Sequence, residues 1–268
     1  MSAASEPKVC LTIAGLDPSG GAGIVADIKT FSAFGCYAAA VVTSITFQNT
    51  TGVFGAVHQE PASVRGQLEP VFADLEVAAV KTVMLPTAEV IREIASILKR
   101  TDVKSLVVDP VIRSTSGFDL IDDIALAALV DELFPLATLV TPNIPEAERI
   151  SGIRINDANS ITEAAGIMRS KGARNVLIKG GHLQSENLST DYLFIDNELT
   201  KFEAERINTT ATHGTGCTLS SAIAANLALG YDLKEAVRVS KDFVTEAIRT
   251  APGIGRGHSP INHLVRRQ

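Results

Sequence analysis

The stretch VCLTIAGLDPSGGAGIVADIKTFSAF, residues 9–34, decides the fold class of this chain. Residues 9–15 are an apolar run of strand length, and residues 17–23 are rich in glycine and contain a proline, which is typical of a turn. Residues 24–34 have the apolar spacing of a helix. A strand, a turn and a helix in this order form the first half of a βαβ unit, which indicates an α/β protein with a parallel sheet.

The rest of the chain keeps this alternation of strands and helices. Strands are predicted at 9–15, 37–43, 78–84, 105–109, 138–140 and 176–178. Helices are predicted at 24–34, 62–74, 87–99, 124–133, 146–151, 161–171, 217–229 and 233–248, the last capped by Asp232. Residues 190–203 indicate a hairpin around Asp196-Asn197, and so an antiparallel edge. We therefore expect a mostly parallel sheet with helices on both faces.

Length and composition describe a compact globular chain. It has 268 residues, of which 46% are hydrophobic and 20% charged, and its net charge of −6 argues against a nucleic-acid surface. No shift in composition marks a linker and no segment repeats. These observations favour one domain over residues 1–268, with a flexible tail at 1–8.

Cysteine usage and the N-terminus bear on location. Cys10, Cys36 and Cys217 are odd in number and far apart, so the sequence predicts neither a disulfide framework nor a structural zinc site. The N-terminus lacks the order of a signal peptide, and no apolar run approaches the ~20 residues of a membrane span. We expect a soluble, cytoplasmic protein with no membrane partner.

Polar or flexible residues follow six of the predicted strands. Ligands of an open parallel sheet bind beyond the carboxyl ends of its strands, so these connections are expected to meet at one ligand site. The residues concerned are Gly15, Asp17, Gln48, Lys81, Met84, Asp109, Asn143, Lys179 and His182.

The sequence HGTGCT, residues 213–218, predicts a glycine-rich turn that leads into an apolar helix. A helix start leaves backbone N–H groups unpaired, and glycines let a phosphate approach them closely. A thiol in this position next to a basic group has a lowered pKa, so Cys217 is a candidate proton acceptor or nucleophile. The alternative is an ordinary turn with a small buried cysteine.

The sequence TPNIPE, residues 141–146, places Asn143 and Glu146 at a strand-to-helix turn. Their hard oxygen atoms are suited to Mg²⁺, directly or through its waters. The alternative is a helix cap formed by the same two side chains. Asp109, at the end of another strand, is either part of the same site or a salt-bridge partner. The chain matches neither the P-loop nor the dinucleotide-binding glycine pattern.

Seven motifs together resemble the hydroxymethylpyrimidine and phosphomethylpyrimidine kinases of thiamine biosynthesis, within the ribokinase-like superfamily. The resemblance implies a three-layer sandwich and runs from Leu11 to His263. The motifs are LTIAGLDPSGGAGIVADIKT from Leu11, TFQNT from Thr46, KTVMLP from Lys81, VVDPVIRSTSG from Val107, TPNIPEAE from Thr141, LIKGGH from Leu177 and HGTGCTLSSAIAA from His213.

The resemblance implies a role for each matching position on the substrate side. The pyrimidine is expected to lie against Gly15 and Asp27, to be hydrogen-bonded by Gln48, and to meet an apolar wall at Val111. Met84 is expected to line the same pocket. The amide of Gln48 supplies both the donor and the acceptor that an aminopyrimidine edge needs.

On the nucleotide side, the resemblance implies that Lys179, Thr215 and Asp109 belong to the ATP region and Asn143 and Glu146 to the Mg²⁺ region. Cys217 would face the hydroxymethyl group as the base. Phosphoryl transfer needs alignment and charge stabilisation more than early proton abstraction, so a thiol is adequate, with the amides of Gly214 and Gly216 neutralising charge on the γ-phosphoryl group.

The resemblance therefore predicts an ATP- and Mg²⁺-dependent kinase for 4-amino-5-hydroxymethyl-2-methylpyrimidine and its monophosphate, in a homodimer. Pyridoxal kinase is the enzymatic alternative, and a non-catalytic pyrimidine-phosphate-binding domain is the alternative from another class. The chain departs from the common family pattern at Leu16, Val25, Val83 and Arg113, which bears on substrate range and nucleotide contacts.

Overall fold

A computed structural model describes residues 6–114, 117–181 and 187–265. Within these ranges the chain forms one nine-stranded sheet in the order β3-β2-β1-β4-β5-β6-β7-β8-β9. The strands are β1 (Val9–Leu16), β2 (Tyr37–Asn49), β3 (Gly52–His58), β4 (Val77–Val83), β5 (Ser105–Asp109), β6 (Leu139–Val140), β7 (Val176–Lys179), β8 (Leu188–Ile195) and β9 (Glu198–Glu205). The greater part of the predicted N-terminal tail, residues 1–5, and His182 lie outside the described residues.

The helices alternate with the strands as the sequence predicts. Five strand pairs, from β2-β1 to β6-β7, are parallel, and the pairs at both edges are antiparallel. The helices are α1 (Gly23–Ala33), α2 (Pro61–Asp74), α3 (Ala88–Leu98), α4 (Asp123–Leu133), α5 (Ile144–Ser151), α6 (Ala158–Ser170), α7 (Thr215–Ala228) and α8 (Leu233–Arg249). No helix among the described residues is long and apolar enough to cross a membrane.

Two apolar cores cover the two faces of the sheet. Successive strand residues point to opposite faces, so Val108 packs into the core under α2–α6, whereas its neighbour Val107 packs into the core under α1, α7 and α8. Phe31 of α1 and Phe243 of α8 fill the second core. The helices therefore lie on both faces, which confirms the three-layer arrangement.

The sheet differs from the sequence prediction at one edge. The hairpin at 190–203 is confirmed as β8-β9, with Asp196 and Asn197 at positive φ in the turn. The antiparallel pair of β2 with β3 was not predicted. Beyond residue 43, β2 continues with alternating apolar and polar residues, which is the pattern of a half-buried strand, so the signal for this extension was present in the sequence. This ribbon carries Gln48 to the carboxyl edge of the sheet.

Candidate active site

A cleft of about 1060 Å³ lies at the carboxyl edge of the parallel strands. The β1-α1 turn, the β2-β3 ribbon, the start of α5, the end of β7 and the start of α7 all contribute to its wall. Most of the predicted site residues are therefore brought together. Those that line the cleft are Gly15, Asp17, Gln48, Met84, Val111, Asn143, Glu146, Lys179, Gly214, Thr215, Gly216 and Cys217.

The first turn of α7 forms one wall of the cleft. Helix α7 begins at Thr215, two residues earlier than predicted, because Gly214 takes the left-handed conformation with φ of 81° and serves as its N-cap. A Cβ atom on Gly214 would collide with the carbonyl oxygen of Gly21, so the two glycine turns pack against each other. Gly216 lies close to Lys179, since a Cβ there would be 3.2 Å from Nζ. The helix start and a cation thus converge on one region.

Cys217 is the third residue of α7 and is partly exposed in the cleft. Burial raises the pKa of its thiol, and the charge of Lys81 offsets this only in part. The lowered pKa expected from the sequence is therefore wrong for this structure, because removal of the thiolate from water outweighs the nearby cation. Cys217 enters the cleft as a neutral thiol.

Asp27 does not line the cleft, so the geometry does not support its predicted contact with the substrate. Both oxygens of its fully buried carboxylate accept hydrogen bonds from Lys81 Nζ, at 2.8 and 2.9 Å. Thr12 Oγ1 donates at 2.5 Å and Ser221 Oγ at 2.6 Å. Asp27 points from α1 toward the sheet rather than toward the cleft rim, so its role is to hold strand and helix together beneath the site.

Lys81, the partner of Asp27, likewise does not lie at the cleft. It lies in the interior of β4 with no exposed side-chain surface. Burial alone would lower the pKa of its ammonium group, but Asp27, with smaller contributions from Cys217 and Asp109, raises the pKa above the ordinary value. Lys81 is therefore a buried cation balanced by Asp27.

Asp109 forms a second buried pair next to the first. Its carboxylate accepts hydrogen bonds from Lys179 Nζ at 2.7 Å, Ser220 Oγ at 3.0 Å and Thr141 Oγ1 at 3.1 Å. Only 1% of Asp109 is exposed and it is absent from the cleft wall, so the expected direct contact with the nucleotide is not supported. Lys179 does reach the cleft, with 13% of its side chain exposed.

Asn143 and Glu146 form a helix cap and also line the cleft. The Asn143 side chain accepts from the backbone N–H of Glu146 at 2.9 Å, and Glu146 Oε2 accepts from the backbone N–H of Asn143 at 2.8 Å. The two predicted interpretations are therefore compatible. Burial raises the pKa of Glu146 to about 7, against the opposing charge of Lys179.

The donor set fits Mg²⁺ in the way that nucleotide sites use it. Among the described residues no cluster of three or more His, Cys, Asp or Glu side chains is placed to hold a metal. Mg²⁺ does not need such a cluster, because it keeps several waters and takes one or two carboxylates together with substrate phosphates. Glu146 supplies a carboxylate and Asn143 an amide oxygen at the cleft wall.

A further part of the cleft wall is apolar. Met84 has a positive φ of 52°, and its carbonyl accepts a hydrogen bond from Thr43 Oγ1 at 2.7 Å. Its sulfur lies against Gly15, where a Cβ atom would collide with it. Together with Val111 they form a wall suited to a small aromatic ring.

Gln48 stands beside this wall and is held by protein groups. Its amide contacts Thr46 Oγ1 at 3.1 Å and His213 Nε2 at 3.3 Å. His213 Nε2 also lies 2.8 Å from Asp17 Oδ2. His213 is therefore part of the cleft wall as well as of the turn before α7.

Some wall residues were not predicted. Residues 205–209, together with Asp191 and Lys241, also line the cleft, and the last two form an ion pair at 2.7 Å. Lys241 is one polar residue among many in the amphipathic helix α8, so nothing in the sequence indicates that it faces the cleft. Of the positions that depart from the family pattern, Leu16, Val83 and Arg113 line the cleft and Val25 does not.

A doubly wound sheet with a glycine turn, a helix start and a lysine at one end of an apolar pocket defines a ribokinase-like small-molecule kinase. Comparison of the chain with known proteins identifies its family. The phosphomethylpyrimidine kinase family model matches residues 17–262. The hydroxymethylpyrimidine/phosphomethylpyrimidine kinase of Haemophilus influenzae is 45% identical over 97% of this chain and 97% of its own length.

The chain is also 50% identical over 95% of its length to the thiamine biosynthesis bifunctional protein ThiED of Geobacter sulfurreducens, but spans only 52% of that protein. A crystal structure of phosphomethylpyrimidine kinase from Clostridium difficile has a TM-score of 0.80 and 45% identity, covering 90% of this chain and 99% of that one. The pyridoxal kinase of Staphylococcus aureus in complex with pyridoxal has a TM-score of 0.90 and 32% identity, and the match covers 97% of this chain and 94% of that one. The chain belongs to the phosphomethylpyrimidine kinase family and is a kinase.

Proposed function

We propose that this enzyme transfers the γ-phosphoryl group of ATP to the hydroxymethyl group of 4-amino-5-hydroxymethyl-2-methylpyrimidine, and then phosphorylates the monophosphate to the diphosphate. One observation carries the proposal. A single cleft is lined by the apolar residues at Gly15 and Met84, by the amide of Gln48 and by Cys217 in the first turn of α7. The apolar wall and the Gln48 amide are suited to an aromatic alcohol, and the helix start is suited to a triphosphate.

The substrate ring would lie on the apolar wall, with Gln48 paired to the aminopyrimidine edge. An amide offers a donor and an acceptor, which match the ring nitrogen and the exocyclic amine. Val111 would close the other side of the ring. The hydroxymethyl group would then be directed toward Cys217.

The phosphates of ATP would lie against the start of α7. The backbone N–H groups of Gly214, Thr215 and Gly216 and the ammonium group of Lys179 would stabilise the negative charge that spreads over the transferred group. Mg²⁺ would be held by Glu146 and Asn143, and when bound it supplies charge neutralisation to the nucleotide phosphates. Asp109 would act through Lys179, which it holds in place.

Cys217 would accept the hydroxyl proton late in the transfer. The neutral thiol would first release its own proton to water in the cleft, and the resulting thiolate would then take the hydroxyl proton. The raised pKa makes that thiolate scarce, but a stronger base once it is formed. The hydroxyl oxygen forms its bond to phosphorus, the bond from phosphorus to the β–γ bridging oxygen of ATP breaks, and ADP leaves.

A product assay tests the proposal. We expect mass spectrometry to detect the monophosphate and then the diphosphate when the enzyme is given ATP, Mg²⁺ and the aminopyrimidine. Cys217→Ala should lower turnover sharply while calorimetry shows nearly unchanged binding of the aminopyrimidine. Cys217→Asp should retain part of the activity. Wild-type turnover by the alanine variant would contradict the assignment of the base, and absence of any product would favour a non-catalytic binding domain.

Pyridoxal phosphorylation is the second candidate. Its support is the structural similarity to the pyridoxal kinases of Staphylococcus aureus and of Bacillus subtilis, the latter solved as an ADP complex with a TM-score of 0.88 and 35% identity. Pyridoxal also carries a hydroxymethyl group on a flat ring. The same assay with pyridoxal in place of the aminopyrimidine decides between the two substrates, through the ratio of their kcat/KM values.

The homodimer implied by the family is supported by the outer face of the β2-β3 ribbon. Ile45 and Val57 are paired across the ribbon and are 41% and 52% exposed, and Phe47 on the same face is 53% exposed. Apolar side chains grouped in this way are typical of a contact surface. Light scattering of the wild type and of Phe47→Ser should show a dimer and a weakened dimer, respectively. Cytoplasmic location stays a prediction.

A further inference from the structure

His213 has two polar neighbours at a single ring nitrogen. Its Nε2 lies 2.8 Å from Asp17 Oδ2 and 3.3 Å from the amide group of Gln48. The imidazole is almost fully buried, with 8% of its side chain exposed. The protonation of this one nitrogen therefore determines how the Gln48 amide can be oriented.

The hydrogen bonds to Asp17 fix the state of that nitrogen. The Asp17 carboxylate accepts from the backbone N–H groups of Ser19, Gly21 and Ala22, at 2.8, 3.2 and 2.9 Å, and from Ser19 Oγ at 2.7 Å. Burial alone would raise the pKa of Asp17, but the hydrogen bonds from His213 and Ser19 lower it. Because Asp17 is ionised, His213 Nε2 carries a proton and donates it to Asp17.

A protonated Nε2 has no lone pair with which to accept from Gln48. Its single proton, donated to Asp17 at 2.8 Å, can be shared with an acceptor of Gln48 at 3.3 Å as the weaker arm of a three-centre hydrogen bond. The amide oxygen of Gln48 must therefore point to His213, and its amide nitrogen to Thr46 Oγ1, with oxygen and nitrogen assigned from the hydrogen-bond network. Thr46 is suited to this arrangement, since its hydroxyl donates to the carbonyl of Leu16 at 2.9 Å and keeps a lone pair for an amide N–H.

The hydrogen-bonding groups of the Gln48 amide that remain available then match those of the substrate. A primary amide has two N–H donors and two acceptor lone pairs. Thr46 takes one donor and the weaker arm of the His213 hydrogen bond takes one lone pair, so one donor and one lone pair remain for a ligand in the cleft. Without His213 the amide could rotate by half a turn and exchange the two.

We propose that His213, held by Asp17, is a positioning residue that fixes the Gln48 amide in one orientation and thereby favours the aminopyrimidine over pyridoxal. The inference rests on the proposed contact between Gln48 and the substrate ring. It assigns to the turn before α7 a function in substrate choice, in addition to the proposed contact with the phosphates.

A double-mutant cycle tests this role. KM and kcat are measured for both substrates in the wild type, Gln48→Leu, His213→Leu and the double variant. We expect His213→Leu to raise KM for the aminopyrimidine about tenfold, with kcat and the KM for pyridoxal much less affected. The double variant should lose no more than Gln48→Leu alone, because His213 acts through that amide. His213→Gln, which keeps an N–H donor, should restore much of the wild-type KM.

His58→Leu is the matched control. It removes an imidazole from the β2-β3 ribbon that carries Gln48. His58 contacts Ser44 at the far end of the ladder from Gln48, so the change should leave both KM values unchanged. Losses from His213→Leu and Gln48→Leu that simply add would overturn the positioning role, and so would equal losses on both substrates. An unchanged aminopyrimidine KM in Gln48→Leu would instead overturn the contact between Gln48 and the ring in the proposed function.

Discussion

Two buried groups of lysine, aspartate and serine lie side by side under the first turns of α7, and they differ in one respect. In the sealed group, Lys81, Asp27 and Ser221 have no contact with the cleft. In the open group, Asp109 is equally buried, but its partner Lys179 reaches the cleft. The same three residue types therefore have two different roles, which depend on whether the lysine is partly exposed.

The comparison separates anchoring from chemistry. A lysine with no exposed surface cannot meet a ligand, so the sealed group can act only through packing and through its field on Cys217. The open group orients a cation whose exposed side is hydrated, and a phosphate can take the place of that water. Neighbouring serines of α7 are the fixed points of both groups, so α7 links the scaffold to the site.

The largest effect is expected from breaking the sealed group. Lys81→Met should lower the free energy of unfolding by about 3–5 kcal/mol, because it leaves the Asp27 carboxylate buried without its cation. Urea unfolding measures this loss. The variant Lys81→Met/Asp27→Asn should recover part of it, since no buried charge then remains unpaired. A loss below about 1 kcal/mol in the single variant would mean that the pair contributes little.

Breaking the open group should affect turnover more than stability. Lys179→Met should lower kcat about 10²–10³-fold, equivalent to about 2.7–4 kcal/mol, because a preorganised charge at the transferred group is lost. Its unfolding free energy should fall less than that of Lys81→Met, because the Lys179 ammonium group reaches the cleft and its removal lets water enter beside Asp109. Steady-state kinetics and urea unfolding of both lysine variants check this. Equal losses of stability with unchanged kcat would remove the distinction between the groups.

Glu146, which neighbours the open group only, should make stability depend on pH. Its folded pKa of about 7 lies above the ordinary 4.5, so its stabilising contribution is complete below pH 4.5 and is lost as the pH rises through 7. Between pH 4.5 and 8, we expect the wild type to lose on the order of 3 kcal/mol relative to Glu146→Gln. Urea unfolding across this range measures the difference, and parallel curves would contradict the raised pKa.

The smallest effect distinguishes the two serines. Ser221 donates a short bond to Asp27, whereas the single hydroxyl proton of Ser220 is shared among Asp109 and two backbone carbonyls. Ser221→Ala should therefore cost about 1.5 kcal/mol of unfolding free energy and Ser220→Ala less than half of that. Thermal unfolding compares them. A larger loss in Ser220→Ala would reverse the comparison.

The sequence by itself determined the order of strands and helices apart from strand β3, because apolar periodicity and glycine turns are local signals. It also located most of the cleft wall, since parallel strands bring their carboxyl ends to one edge. The Asp232 cap and the capping pair of Asn143 and Glu146 were readable from spacing alone. Motif resemblance supplied the family, which the comparisons bear out.

Only the tertiary structure decided which charged residues face the cleft. Asp27 and Asp109 belong to motifs that suggest a site, yet both are turned inward and neutralised by lysines 54 and 70 residues away in the chain. The raised pKa of Cys217 and the contact of His213 with Gln48 have the same origin. Burial and the pairing of distant side chains depend on how the helices pack on the sheet, and no local pattern of residues records that.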